Sequence, residues 1–114
     1  MNKLDHHDLK QVLIDIFTTE GLHTELQDNK LVIDAPYKEM TRNGDYAVYV
    51  IGHTTLSINP LALVINPGVI YNDHGKLSFI LNYNGSTLVT EAKGSFLYTD
   101  NYKQKRITIK FTFH

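Results

Sequence analysis

The chain contains no cysteine and no tryptophan, only three prolines, and almost no net charge. Without cysteine there is no disulfide framework, no thiolate metal site and no thiol nucleophile, a composition suited to the cytoplasm. A formal net charge of −1 favours no class of partner. The sequence pI near 6.6 lies well below the strongly basic values of nucleic-acid-binding domains. Aliphatic runs stop at five residues, as in Leu61-Ala62-Leu63-Val64-Ile65, whereas a membrane-spanning helix needs about 20. The opening MNKLDHHDLKQ lacks the apolar core of a secretion signal, and Asp5 and Asp8 argue against a transit peptide. A soluble, cytoplasmic protein without a membrane partner is the expectation.

Two further absences bear on chemistry. Gly68, Gly75 and Gly85 sit in turn sequences, so no glycine-rich loop leads from a strand into a helix to cradle phosphate. Ser57 and Thr55 lack the context of a nucleophile elbow. No cofactor is expected.

What is present suffices for one domain, residues 1–114, with its own core: 42% of residues are hydrophobic and 20% charged. Charge is unevenly spread. Residues 1–40 carry eight acids against four lysines, and residues 41–114 carry seven basic residues against four acids. Between Asp45 and Asp73 lie 27 residues with no charged side chain apart from a chargeable His53.

Leu9, Val12, Leu13, Ile16 and Phe17 form one helical stripe, which predicts a helix over 6–19 with Asp5 as N-cap, Asp8 in the first turn and Gly21 at its end. The period then changes to two. Asp28-Asn29, Asn43-Gly44 and Asn84-Gly85 mark hairpins, Gly94 suggests a bulge, and Ile107, Ile109, Phe111 and Phe113 alternate with polar residues in a final strand. The predicted fold is α+β: one N-terminal helix on a curved antiparallel sheet of about six or seven strands, a meander that can curl into a half-barrel. Residues 47–51 and 79–81 are apolar on both faces. Either the sheet curls, or its second face meets another subunit or a partner.

Ile-Asn-Pro occurs twice, at 58–60 and 65–67. Asn59-Pro60 reads as a helix start or a corner, and Asn66-Pro67-Gly68 fits a type II turn. Residues 61–65 read as a short buried strand between two corners, in preference to a one-turn helix. Such corners can hold Leu61, Val64 or Val69 outward for a partner.

Of the candidate residues, His6 and His7 are neighbours on a helix and point about 100° apart, which does not chelate one ion, so no metal site is expected. His53 is the candidate acid–base group, read as sharing a strand face with Tyr49, Ile51, Thr55 and Ser57, although no carboxylate between 46 and 72 can orient it. Arg106 and Lys110, with Tyr98 and Tyr102, suggest phosphate contacts and stacking platforms for single-stranded nucleic acid. A protected edge strand explains the same lysines, and nucleic acid is the less favoured partner. The seven tyrosines suit both strands and interfaces.

Three functions compete. The favoured one is a small non-enzymatic protein-binding module, an inhibitor in the format of bacterial immunity proteins or phage-type inhibitors. It is inferred from format alone. Its partner is another protein, with a basic one matching the acidic first third, or a second copy through the free sheet face. The second is a ligand-binding or enzymatic domain with a cavity between helix and curved sheet, lined by tyrosines and His53. The third is single-stranded nucleic-acid binding through the C-terminal basic strand.

Overall fold

Asp8 opens the helix. Its Oδ1 accepts the Gln11 amide at 2.8 Å, the bond made by an N-cap side chain, so Asp8 fills the role expected of Asp5. The computed structural model describes residues 8–19, 21–65, 68–83 and 85–114, so His6, His7 and the Asp5 cap lie outside the described residues. Helix α1 (Leu9–Thr19) buries Leu9, Val12, Leu13 and Phe17, four members of the predicted stripe. It ends as the Leu22 amide donates to the Phe17 carbonyl at 2.9 Å and the Gly21 amide to Thr18 at 3.0 Å, the paired bonds of a Schellman motif. No helix among the described residues is long and apolar enough to cross a membrane.

Ten strands follow, against the six or seven expected. They are β1 (His23–Gln27), β2 (Lys30–Pro36), β3 (Glu39–Asn43), β4 (Tyr46–Ile51), β5 (Thr54–Ile58), β6 (Ala62–Ile65), β7 (Gly68–Asp73), β8 (Lys76–Tyr83), β9 (Ser86–Asn101) and β10 (Arg106–Phe113). Two causes account for the difference. Gly52 adopts φ +59° and, with His53, turns the chain between β4 and β5 where the residues read as one continuous strand. All five residues of β3 are exposed, so it carries no apolar alternation to announce it. Residues 62–65 are a strand, as predicted, and Asn59 makes the corner before them: its Oδ1 accepts the amides of Leu61 at 2.7 Å and Ala62 at 2.8 Å. Asn66, Pro67 and Asn84 lie outside the described residues.

All pairings are antiparallel and the order is β1-β2-β10-β9-β8-β7-β6-β5-β4-β3. The sheet curls but is not closed. Its curl is imposed by connectivity: β2 and β3 lie near opposite ends of this order, yet only Tyr37 and Lys38 separate them. The Tyr37 amide donates to the Lys105 carbonyl at 2.8 Å, and the Lys38 amide to Val50 at 2.7 Å. Residues 30–43 therefore border β10 over their first half and β4 over their second.

Strand β9 makes the corresponding transfer on the far side. Its residues 86–93 pair with β8 and residues 94–101 with β10. Gly94 stands at the handover and stays in register with Phe113, where the sequence suggested a bulge. The Gly94 amide donates to the Gly75 carbonyl at 2.7 Å. A Cβ at this position would lie 2.1 Å from the Thr112 carbonyl oxygen. Glycine is required because β9, the end of β10 and the turn at Gly75 meet there backbone to backbone.

The inner face is continuous and apolar. Leu31, Ile33, Ala47, Leu56, Ile58, Leu63, Ile65, Ile70, Leu77, Phe79, Ile107, Ile109 and Phe111 form one cluster with the helix residues Leu9, Leu13 and Phe17. Burial of each large side chain in such a cluster contributes about 1.5–3 kcal/mol.

Gly94→Ala should lower stability by about 1–3 kcal/mol, because either β9 or the end of β10 must shift to accept the methyl group. Urea denaturation measures it, and a midpoint equal to wild type would show that the close approach carries no constraint.

Candidate functional site

Alternation divides each strand into an inner set, already described, and an outer set. The register aligns the outer set of the larger half-sheet into one row: Thr41 opposite Val48, Val48 opposite Ser57, Ser57 opposite Val64, Val64 opposite Val69, Val69 opposite Ile80, and Ile80 opposite Val89. Adjacent strands lie about 4.8 Å apart, so this row runs roughly 29 Å around the curve. Val48, Ser57, Val64, Val69 and Ile80 are half-buried by their neighbours on the sheet, and Val89 is exposed.

The outer positions of β4, β5, β6 and β7 up to Asn72 carry no charge. The corresponding positions of β1, β2 and β10 carry Glu25, Lys30, Asp34, Arg106 and Lys110. The same curled sheet thus presents a neutral, β-branched stretch on β4 to β7, bordered by Glu39, Asp73, Lys76, Glu91 and Lys93, and a charged surface on β1, β2 and β10. β-propensity explains valines on either surface. It does not explain why charge is absent from the outer positions of β4, β5, β6 and β7 up to Asn72.

Two adjoining hollows mark the neutral stretch. Asn43, Tyr46, Val48, Ser57 and Val64 line the first, about 420 Å³ in volume. The second, about 410 Å³, begins at the next residue of the β3–β4 hairpin and is lined by Asp45, Asn59, Pro60 and Leu61. Leu61 is 69% exposed, far beyond what a core leucine shows.

A second polar cluster lies inside. Asp100, at an inner position near the end of β9, accepts the Tyr37 hydroxyl at 2.6 Å and the Tyr49 hydroxyl at 3.2 Å. The two rings meet edge to face, with centroids 5.0 Å apart. The Asp100 hydrogen bond, followed by burial and the carboxylate charge, pushes the Tyr37 phenol from its ordinary 10.0 up to about 12. Burial, then the Asp100 charge and hydrogen bond, raises Tyr49 further in the same direction. Phenols held protonated in this way are structural donors at neutral pH.

The sequence-derived candidates separate into four places. Val64 and Val69 are cross-strand neighbours in the outer row, Thr55 is exposed on the same face opposite Val50, and Leu61 borders the second hollow. Tyr49 is 2% exposed, in the core at Asp100. His53 is exposed in the β4–β5 turn, so the face on which it was grouped with Tyr49, Ile51, Thr55 and Ser57 does not form: Tyr49 and Ile51 point inward, whereas Thr55 and Ser57 point outward. Arg106 and Lys110 are on the charged surface, where Arg106 Nε lies 3.2 Å from Asp34.

Asp45, Tyr46, Val48 and Ile80 escaped the sequence reading as site residues. Alternation within the neutral block contains Val48, but Ile80 joins it only through the β7–β8 register. The Tyr37–Asp100 contact spans 63 residues and has no local trace. Among the described residues no group of three or more His, Asp or Glu side chains is placed to hold a metal. No protein-family model, curated protein or solved structure matches the chain.

The sign of the tyrosine shifts fixes an alkaline response. A folded-state value above the unfolded one stabilises the fold fully below about pH 10 and loses that contribution as pH rises through about 12. In an ultraviolet pH titration, tyrosinate absorbance from Tyr37 should appear only near pH 12 and together with unfolding, and Tyr37→Phe should reduce the late component to the share of Tyr49. Asp100→Ala, which leaves two buried hydroxyls without their acceptor, should destabilise by about 1–3 kcal/mol at neutral pH.

Proposed function

We propose that this chain is a small non-enzymatic protein-binding module that acts by occupying another protein, in the manner of an inhibitor, through the outer face of β4–β8. The observation that carries this reading is the absence of charge from the outer positions of β4, β5, β6 and β7 up to Asn72. Protein-binding patches are depleted of charge at their centre and bounded by polar residues. The row from Val48 to Ile80 has this composition, with Glu39, Lys76 and Glu91 at its margins.

The competing readings have less support. Phe17, Phe79, Phe111 and the leucines and isoleucines around them occupy the interior between helix and sheet, where a ligand cavity would have to be. His53 is exposed in its turn, away from Asp100 in sequence and strand. For nucleic acid, Arg106 is engaged with Asp34, and Lys110 stands between Val32 and Leu97 in the sheet.

Val64→Glu puts a charge at the centre of the row without touching the inner core. Affinity capture from the native host should retrieve a stoichiometric protein partner with the wild-type chain and lose it with Val64→Glu. Retrieval unchanged by the substitution would remove the outer face from the function. Failure of the wild-type chain to retrieve any partner under several growth conditions would count against the module itself.

A further inference from the structure

The two hollows differ in one respect that bears on what fits them. Asn43, Tyr46, Val48, Ser57 and Val64 supply only neutral groups, and so do Asn59, Pro60 and Leu61; Asp45 is the one charged residue lining either hollow. Its carboxylate has no hydrogen bond or ion pair among the described residues, whereas Asp34, Glu91 and Asp100 all have partners. Asp45 is also the acid that interrupts the approach to the 27 uncharged residues. Asp45 in one hollow and Tyr46 in the other are consecutive residues, so an uncharged hollow stands beside a free carboxylate, an arrangement complementary to an apolar group followed by a cation.

We propose that the two hollows between Val64 and Asp45 bind an extended segment of the partner protein carrying an aliphatic side chain beside a lysine, an arginine or a free amino terminus. The aliphatic group lies against Val48, Tyr46 and Val64, and the cation reaches Asp45. This assignment rests on the protein-binding reading above and adds the chemistry of the segment recognised. Asp45 acts as the specificity-determining residue. Being solvent-exposed, it selects between segments and supplies little of the total affinity. The apolar contact supplies the rest, since removing apolar surface from water is the larger favourable contribution.

The same geometry disfavours a second copy as the occupant. A two-fold contact would have to bring a cation of this chain to Asp45, and the outer positions of the strands lining the hollows offer none.

The test is a random heptapeptide display library selected against the wild-type chain, Asp45→Asn, Val64→Glu and the near-isosteric Val64→Thr, each first shown by thermal melting to be folded. Wild type should enrich peptides with an aliphatic residue next to lysine or arginine. A synthetic peptide from that set should bind Asp45→Asn about two- to fivefold more weakly, and its lysine-to-glutamine form should bind both proteins alike, closing a double-mutant cycle. Val64→Glu should abolish binding of either peptide, and Val64→Thr should weaken it.

Enrichment of aliphatic residues without a cation, unchanged in Asp45→Asn but lost in Val64→Glu, overturns the Asp45 assignment and leaves the protein-binding face standing. No enrichment, or enrichment indifferent to both positions, overturns both. A wild-type dimer by light scattering that Val64→Glu splits into monomers assigns the hollows to a second copy and overturns the proposal.

Discussion

One carboxylate ties together strands that the order of this curled sheet sets apart. Asp100 on β9 accepts hydroxyls from Tyr37, which lies between β2 and β3, and from Tyr49 on β4. Tyr37 follows β2, which only β10 separates from β9, but Tyr49 on β4 stands five places from β9 in the strand order and meets Asp100 only because the sheet has turned back towards its beginning. At the same place the chain passes from bordering β10 to bordering β4 within two residues, through the Tyr37 and Lys38 amides. A part-buried carboxylate without donors would be costly. Two phenols satisfy it, and their raised pKa values report how strongly the neutral hydroxyl is preferred there.

The curl explains the distribution of hydrophobic residues. A single helix of eleven residues cannot cover ten strands. By bending, the sheet covers itself, and its inner positions fill one cluster from Leu31 to Phe111. Glycine at 94 permits the bend on the β9 side, where any side chain would strike the Thr112 carbonyl. The inner apolar set is therefore fully used by folding. The outer set is not, and the valines and isoleucine at 48, 64, 69 and 80 remain as surface whose composition folding alone does not require. That surplus is the surface on which the proposed binding face rests, and Asp45, whose carboxylate has no partner among the described residues, immediately precedes Tyr46 at its edge.

Residues carrying strong local patterns were legible in advance. Leu9, Val12, Leu13 and Phe17 at helical spacing gave the helix, and the alternation in 107–113 gave the last strand, since periods of 3.6 and 2 arise from backbone geometry alone. Local turn chemistry marked the corner at Asn59. Strand number was harder. Gly52 and His53 looked like part of a strand because a two-residue turn leaves no change of composition, and reading through them placed His53 on a face with Tyr49. Strand β3 was hidden for the opposite reason: a fully exposed edge has no hydrophobic period to detect. Of the candidate site, Val64, Val69 and Leu61 could be named from the doubled Ile-Asn-Pro, whereas Asp45 and Ile80 needed the register.

The sequence by itself determined the class of fold, the helix, the neutral block at 46–72 and the two-sided apolar character of the strands within it. These depend on neighbours along the chain. Tertiary structure alone decided that the sheet curls around its own core, that Asp100 serves Tyr37 and Tyr49, that Arg106 is held by Asp34, and that Val48, Val64 and Val69 share one outer row running towards Ile80. Each of those depends on pairing between residues distant in sequence. Pairing register, set by the packing of one whole face against itself, is not encoded in any short stretch.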